Sequence, residues 1–468
     1  MSFYKITRFL WAVALVALPV TSFRYFPFLG STTYVRPLAL YPLAALMLVL
    51  LVGLWRRQVP APIPGALLLL GLFVISIALS IVAGWLDAPV PMRGQSYLDR
   101  AVRALVTLAV GLVFFVSAVW MVRDRNDFLF SVRWMLVGMA TALAWSGVQA
   151  LTFYTPLLDK VTVTHWQLAF SMRELVRTNR ISGLAYEPSW LAGQITTLYM
   201  PILVGALLAR TQLTWRKWLD VVLLGATTVV LLMTYSRGGL LITVCVTGLV
   251  VLLAGFGEFR RAWGWFIGGF RGTLLAQALR IAIVAALLGA LVGAFAFLSQ
   301  KAYFSRLWQF RGESLSRYIV SINAGARSAY AAGALGAFED HPVLGVGLGA
   351  SGFYIFDHLP DWALTTVPEI ARQLDPGNRL FPNPKNMYIR LLAETGLLGF
   401  VLYLVFQASV LGDVLVNFRK ADAYRFAAVA GLFAWLAIAL YNFTQDSLAT
   451  PNIWILPGML VGLTRSEV

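Results

Sequence analysis

Among the side chains of this sequence, arginine carries the most usable chemistry, because a guanidinium pairs bidentately with phosphate oxygens and stays charged even in a partly dry site. Three arginines stand beside the ends of apolar stretches. Arg180 lies in RISGLAYEPSW, where Pro188 suits the first turn of a helix and the helix N-terminus itself attracts anions. Arg237 lies in TYSRGGLL, a turn so short that its side chain sits at a membrane surface or within it, an expensive place without a partner. Arg327 lies in NAGARSAYAAGALGAFEDHPVLGVGLG, whose Ala-rich part reads as a helix and whose Gly345, Gly347 and Gly349 force a turn. Each arginine alone also reads as a snorkelling or capping residue. Three at one end point to an anionic ligand.

Other clusters promise less. Glu339, Asp340 and His341 are ligand-type residues, but neighbours on a helix point in different directions and no second cluster supports them, so no metal is expected. No Asp-x-Asp pair is present, which argues against an enzyme holding a nucleotide diphosphate through a divalent metal. His165 and His358 are possible acid-base groups, since imidazole titrates near neutrality. The Gly-x-Gly-x-Gly at 345–349 follows no α/β pattern, so no dinucleotide cofactor is expected. The lone Cys245 excludes a disulfide framework and a cysteine-based metal site.

These residues need elements to hold them, and composition says what kind. Of 468 residues 59% are hydrophobic and 12% charged, with 37 basic and 21 acidic side chains giving a net charge of +16. Soluble domains carry about 25% charged residues. With half of that and a mean hydropathy of +0.75, the chain is not a soluble enzyme. The expected fold is all-α, a polytopic membrane protein of about 12 transmembrane helices, since each crossing needs roughly 20 apolar residues. The stretches are 6–22, 37–55, 65–85, 101–122, 134–153, 189–208, 219–234, 238–256, 275–298, 391–412, 426–443 and 451–463. The first, preceded by Lys5 and Arg8, resembles a signal peptide but shows no convincing small-residue cleavage site, so an uncleaved helix is expected.

Basic residues set the orientation. Arg56 and Arg57, Arg123 to Arg133, Arg210 to Lys217, Arg260 to Arg271 and Arg419 to Arg425 fall on alternate loops, all on the side of the N-terminus. The positive-inside rule then puts both termini in the cytoplasm and leaves two long segments outside, 154–188 and 299–390. The second is too long to be a mere connector. The chain thus divides into spans one to nine over 1–298, a partly helical loop region over 299–390, and three spans over 391–468. The segment 257–272, mixing Trp, Phe and Arg, reads either as an interfacial helix or as a basic loop.

In this setting the sequence resembles the bacterial O-antigen ligase and O-antigen polymerase superfamily. Four pieces carry the resemblance, in order: Arg180, Gly183 and Glu187-Pro188-Ser189; Ser236-Arg237-Gly238; Arg327 leading into His341-Pro342-x-x-Gly345-x-Gly347; and Asn386-x9-Gly396-Leu397-Leu398-Gly399. The resemblance covers about residues 180–410. It implies a GT-C class glycosyltransferase in the bacterial inner membrane, metal-independent and without a cofactor. Arginines would hold the lipid diphosphate, and a periplasmic loop would complete the cavity. Its partners would be undecaprenyl-diphosphate-linked donor and acceptor glycans, membrane lipid and other polysaccharide assembly proteins, with no nucleic acid.

One position departs from the family. Where the ligases have the histidine taken as the group that activates the acceptor, this chain has Lys385. A lysine acts as a base only when its pKa is pushed far down, and otherwise serves as a cation for the diphosphate or an acidic sugar. If a carboxylate takes the proton instead, Glu187 is the first choice, followed by Asp361, Glu369 and Glu394; Glu187 equally reads as an ion-pair partner. The expected site is therefore Arg180, Arg237 and Arg327 for the diphosphate with Lys385 and Glu187 in catalysis. The expected function is a polysaccharide polymerase, with a ligase and a lipid-linked oligosaccharide transporter as alternatives.

Overall fold

The computed structural model describes residues 3–26, 33–57, 62–175, 179–307, 312, 314–322, 324–375, 377–378, 380–420 and 422–464. Among them the chain is helical, with isolated β-bridges such as Phe23 to Ser171 and no named strand. This is the all-α polytopic membrane protein that composition demands.

Among the described residues, eight helices are long and apolar enough to cross a membrane. They are α3 (Gly65–Leu86), α4 (Tyr97–Met121), α5 (Arg125–Tyr154), α7 (Pro188–Leu208), α9 (Arg237–Ala254), α11 (Leu274–Ser299), α16 (Met387–Arg419) and α17, whose apolar span Asp422–Tyr441 begins in a short 3-10 turn before the α-helix Arg425–Tyr441. Four other predicted spans fall on shorter helices: α1 (Phe3–Ala17), α2 (Leu40–Trp55), α8 (Lys217–Met233) and α18 (Ile455–Thr464). At about 1.5 Å per residue these fall short of a hydrocarbon core of about 30 Å. The missing length is supplied by other backbone. After α1 the chain runs out through Val20 and Phe23, whose amides bond to Ala17 and Arg36, and α18 is preceded by a 3-10 turn, Pro451–Ile453.

Outside the spans lie α6 (Lys160–Leu168), α10 (Phe256–Gly268), α12 (Leu315–Ser321), α13 (Gly325–Asp340), α14 (Asp361–Thr366) and α15 (Pro368–Leu374). The segment 299–390 is thus partly helical, and 257–272 is mostly a helix whose residues are all outside the core.

Small residues decide which helices are central, because lipid is as apolar as leucine and only close packing holds helices together in it. On α18, Gly458 and Gly462 stand four apart, and a Cβ on either would lie 2.7 Å from a backbone oxygen of α4, at Phe115 and Val119. On α7, Gly205 meets Ala430 of α17 and Gly193 meets the Tyr441 ring. Helix α7 is 94% buried along its apolar window, whereas α11, the more apolar of the two, buries none of its window. Within α7, Pro201 has no N–H to bond one turn back, and the preceding turn widens into a π-helix, Ile195–Tyr199.

Contacts sort the loops into two ends. Arg8 with Asp127, Arg125 with Ala423, Arg210 with Glu258 and Lys420 with Thr464 join the loops expected on the N-terminal side. The segments expected opposite also meet one another: Tyr186 with Thr21, Arg180 with Thr234, Arg237 with Ile322, and Arg93 with Gln373.

Candidate functional site

At that opposite end a glycine turn docks into a break in a helix. The run from His341 leaves α13 and turns at Gly345, Gly347 and Gly349, with φ of 69°, 96° and 90°, a region that glycine enters without penalty. Helix α16 breaks at Gly396, φ 60° and ψ −168°. The two exchange backbone bonds. Leu397 and Leu398 donate to the carbonyls of Pro342 and Val343 at 2.8 and 3.2 Å, while Val346 and Gly347 donate to Ala393 and Glu394 at 2.9 and 3.0 Å. A helix interruption ordinarily orphans such groups, and here each finds a partner in the other segment.

The break frames a buried charge network. Arg390 Nε bonds Glu394 Oε2 at 2.8 Å, with side chains 12% and 3% exposed. Glu394 also accepts from Ser351 Oγ at 2.8 Å, and its carbonyl from Ser80. Arg390 reaches on to the carbonyl of Asp446, in the loop that follows α17. Arg100 of α4 donates to Gly349 at 3.2 Å, lies 4.1 Å from the Phe381 ring, and feels the charges of Glu394, Arg390 and Asp446.

The loop 442–446 is a meeting point. Arg327, in the first turn of α13, donates through Nη1 to the carbonyl of Thr444 at 2.8 Å. It is exposed, and among the described residues it makes no ion pair. Gly238, next to Arg237, faces the methyl of Thr444, 3.7 Å from a Cβ placed there. Arg237 opens α9 under the Ser236 cap and donates to Ile322 beside α13. Arg180 Nε bonds the carbonyl of Thr234, three residues ahead of Arg237, at 2.8 Å. The structure therefore chains the three predicted arginines through neighbouring backbone, Arg180 to Arg237 by the turn 234–237 and Arg237 to Arg327 around Thr444.

Lys385 joins them. Its amide donates to Asp446 Oδ2 at 2.9 Å, and its φ of 53° is unusual for a side chain with a Cβ. The ammonium contacts Glu369 Oε1 at 3.3 Å and lies 5.5 Å from the Tyr330 ring. Burial, reinforced by Glu369, pushes the Tyr330 phenol up, and it donates to Gln373. Three donors and no acceptor, paired with a carboxylate and a ring face, suit an ammonium acting as a cation.

Glu187 caps α7 within an ion pair, though with Arg173 and not with Arg180: Arg173 Nη1 lies 3.0 Å from Oε2, and Ser189 donates to Oε1. Arg173 also lies 5.0 Å from the Tyr186 ring, which stacks on Tyr34. Tyr441, at the end of α17 just ahead of the loop 442–446, packs against Gly193 of α7, the helix that Glu187 precedes. Asp361 starts α14 and Glu369 lies in the first turn of α15. Among the other candidates, Asp340 bonds His358 Nε2 at 3.0 Å, His165 is exposed on α6, and no group of three or more His, Cys, Asp or Glu residues that could hold a metal occurs among the described residues.

Residues 221–404 match the family described as O-antigen ligase (Wzy_C). The match supports the O-antigen ligase and polymerase superfamily. It takes in Arg237, Arg327, Lys385 and the whole docking of the glycine turn into α16, and leaves Arg180 and Glu187 outside. No curated protein matches the chain. For this superfamily the matched segment supports a ligase- or polymerase-type enzyme acting on lipid-linked glycans in polysaccharide biosynthesis.

Four contributors escaped the sequence reading: Arg100, Arg173, Arg390 and Asp446. Asp446 carried a signal, a lone carboxylate just past an apolar span on the side of the three arginines. Arg390 with Glu394 had the i, i+4 spacing of a helical ion pair.

Proposed function

We propose that this protein is a polysaccharide polymerase, transferring a glycan from undecaprenyl diphosphate to a second lipid-linked repeat at the periplasmic face of the inner membrane. The observation that carries the reading is the convergence of Arg327, Lys385 and the Arg237 turn on the loop 442–446. Arg180, Arg237 and Arg327 hold the diphosphate. As the bond between the anomeric carbon and the phosphate oxygen breaks, the electron pair leaves with the diphosphate and fixed guanidinium charge stabilises it. The acceptor hydroxyl oxygen forms the new bond to the anomeric carbon and gives its proton to Glu187, which Arg173 and Ser189 keep oriented. Lys385 supplies a further cation beside the acceptor. Fixed cations do the work that a divalent metal does in other transferases, so the reaction needs no added metal.

The matched family, described as O-antigen ligase, is equally consistent with a second reading, a ligase that moves the finished glycan to a lipid A core. Reconstitution with a defined lipid-linked repeat decides between them. Chain extension from the repeat alone, with chelator present, supports the polymerase. A product that forms only when lipid A core is supplied overturns it in favour of the ligase.

A further inference from the structure

Along the flank of the bundle, α1 and α5 pack together and leave a groove that starts beside Lys5 and Arg8 at the N-terminal end and runs toward Val20 and Leu184. Its cavity of about 810 Å3 is almost wholly apolar, with Phe9, Val13, Val16 and Leu184 among its walls. From Lys5 to Ala17, within α1, it runs about 18 Å at helical rise, more than half the hydrocarbon thickness. A second cavity of about 640 Å3 adjoins it, sharing Arg8, Phe130 and Trp134 and adding Arg125, Asn126 and Arg133.

The wall changes character along its length. Arg133 is exposed and, among the described residues, makes no ion pair. Arg8 donates through Nη1 to the Tyr4 hydroxyl at 2.6 Å, lies 4.0 Å from the Phe130 ring and has Nη2 4.0 Å from Asp127, a long contact; of its five N–H groups only one makes a short bond among the described residues. Arg125 spends its Nε on the carbonyl of Ala423 and keeps its terminal nitrogens. Asp124 turns back to cap α5 through the amide of Asp127. Trp134 stands at the boundary between the cations and the apolar groove, the depth at which tryptophan favours a membrane interface.

We propose that this groove is a binding site for an anionic phospholipid of the leaflet on the N-terminal side, its phosphate among Arg8, Arg125 and Arg133 and an acyl chain along α1 and α5. Charge complementarity selects the occupant. A zwitterionic lipid fills the apolar part equally well but brings a cation to the arginines, and free phosphate leaves the groove empty. None of these residues belongs to the site at the opposite end, so the proposal stands apart from the transfer reaction.

The test uses the full chain in detergent, with lipid binding read by native mass spectrometry. Phosphatidylglycerol and phosphatidylcholine with the same acyl chains are the probes. The wild type should bind phosphatidylglycerol more tightly. Arg133→Gln, in an exposed side chain whose loss leaves no partner unpaired, should weaken that preference roughly fivefold, the worth of one basic residue near an anionic surface, and Arg8→Gln with Arg133→Gln should remove most of it. Arg56→Gln, outside the groove, should change nothing. Equal binding of the two lipids by the wild type, or an unchanged preference in the Arg133→Gln variant, overturns the proposal. Displacement of phosphatidylglycerol by a lower concentration of undecaprenyl phosphate overturns it too, since the groove would then be an isoprenoid site.

Discussion

The amide of Gly347 donates to the carbonyl of Glu394 at 3.0 Å, tying the glycine turn after α13 to α16 at its break. This bond and its neighbours fix the helix that carries Arg327 relative to the segment that carries Lys385. Two stretches of sequence some fifty positions apart thereby become one rigid piece of the site. Their glycines explain the motif: a Cβ on Gly345 would lie 2.6 Å from the backbone of Glu394 and Thr395, and one on Gly396 would lie 2.3 Å from Val343.

Gly396→Ala should therefore destabilise the protein by about 3 kcal/mol, from a left-handed backbone without glycine plus a clash with backbone. Gly412→Ala, on the same helix with nothing within 4 Å, is the matched control and should be neutral or slightly stabilising. Thermal unfolding in detergent compares the two, and equal melting temperatures would refute the docking.

The Arg390–Glu394 pair gives a sharper test of the buried network. Glu394→Gln or Arg390→Met alone leaves one uncompensated buried charge, the guanidinium or the carboxylate, and should cost about 3–5 kcal/mol. Replacing both with leucine should cost clearly less than the two single changes summed. Additive losses in unfolding measurements would mean that the pair is not coupled.

How much of this was open to reading from the sequence differs by level. The helical, membrane-embedded class followed from composition, and the helices came out where apolar runs predicted them, because hydrocarbon tolerates no other isolated element. Their depth in the bundle did not follow: α11 is the more apolar of the two, with mean hydropathy 2.7 against 1.6 for α7, yet α7 is buried and α11 bare. Gly289 and Gly293 of α11 look like the packing pair of α18, and a Cβ on either meets nothing. Around the site, the arginines declared themselves as charges at span ends. Asp446 was visible only as a lone carboxylate past a span; its role comes from long-range contact with Lys385 and Arg390, which no local pattern records. Glu187 was visible as a candidate while its partner Arg173 was not.

Lys385 separates a cation from a bystander. Lys385→Ala should lower glycan transfer, and Lys385→His should retain part of it if the side chain stands in the acceptor region. Steady-state rates with defined lipid-linked repeats measure both. Unchanged kinetics in the two variants would remove Lys385 from the site.

Glu187→Gln keeps the size and the Ser189 contact while removing the group proposed to take the proton, so it should lower kcat with little change in KM. Arg173→Ala should have a smaller effect, since it only orients the carboxylate. The reverse ranking of the two variants in kcat would show Glu187 to be structural.

The central claim is that arginine charge holds the lipid diphosphate, and Arg327 is its most direct probe, being exposed and bonded only to a backbone carbonyl among the interactions described for it. Glycan transfer by purified Arg327→Ala, with chelator present and melting temperature recorded alongside, is the decisive measurement. A fall of about 100-fold or more at unchanged melting temperature, with partial recovery in Arg327→Lys, is the predicted result. Normal-length polymer at the normal rate from Arg327→Ala would contradict the account.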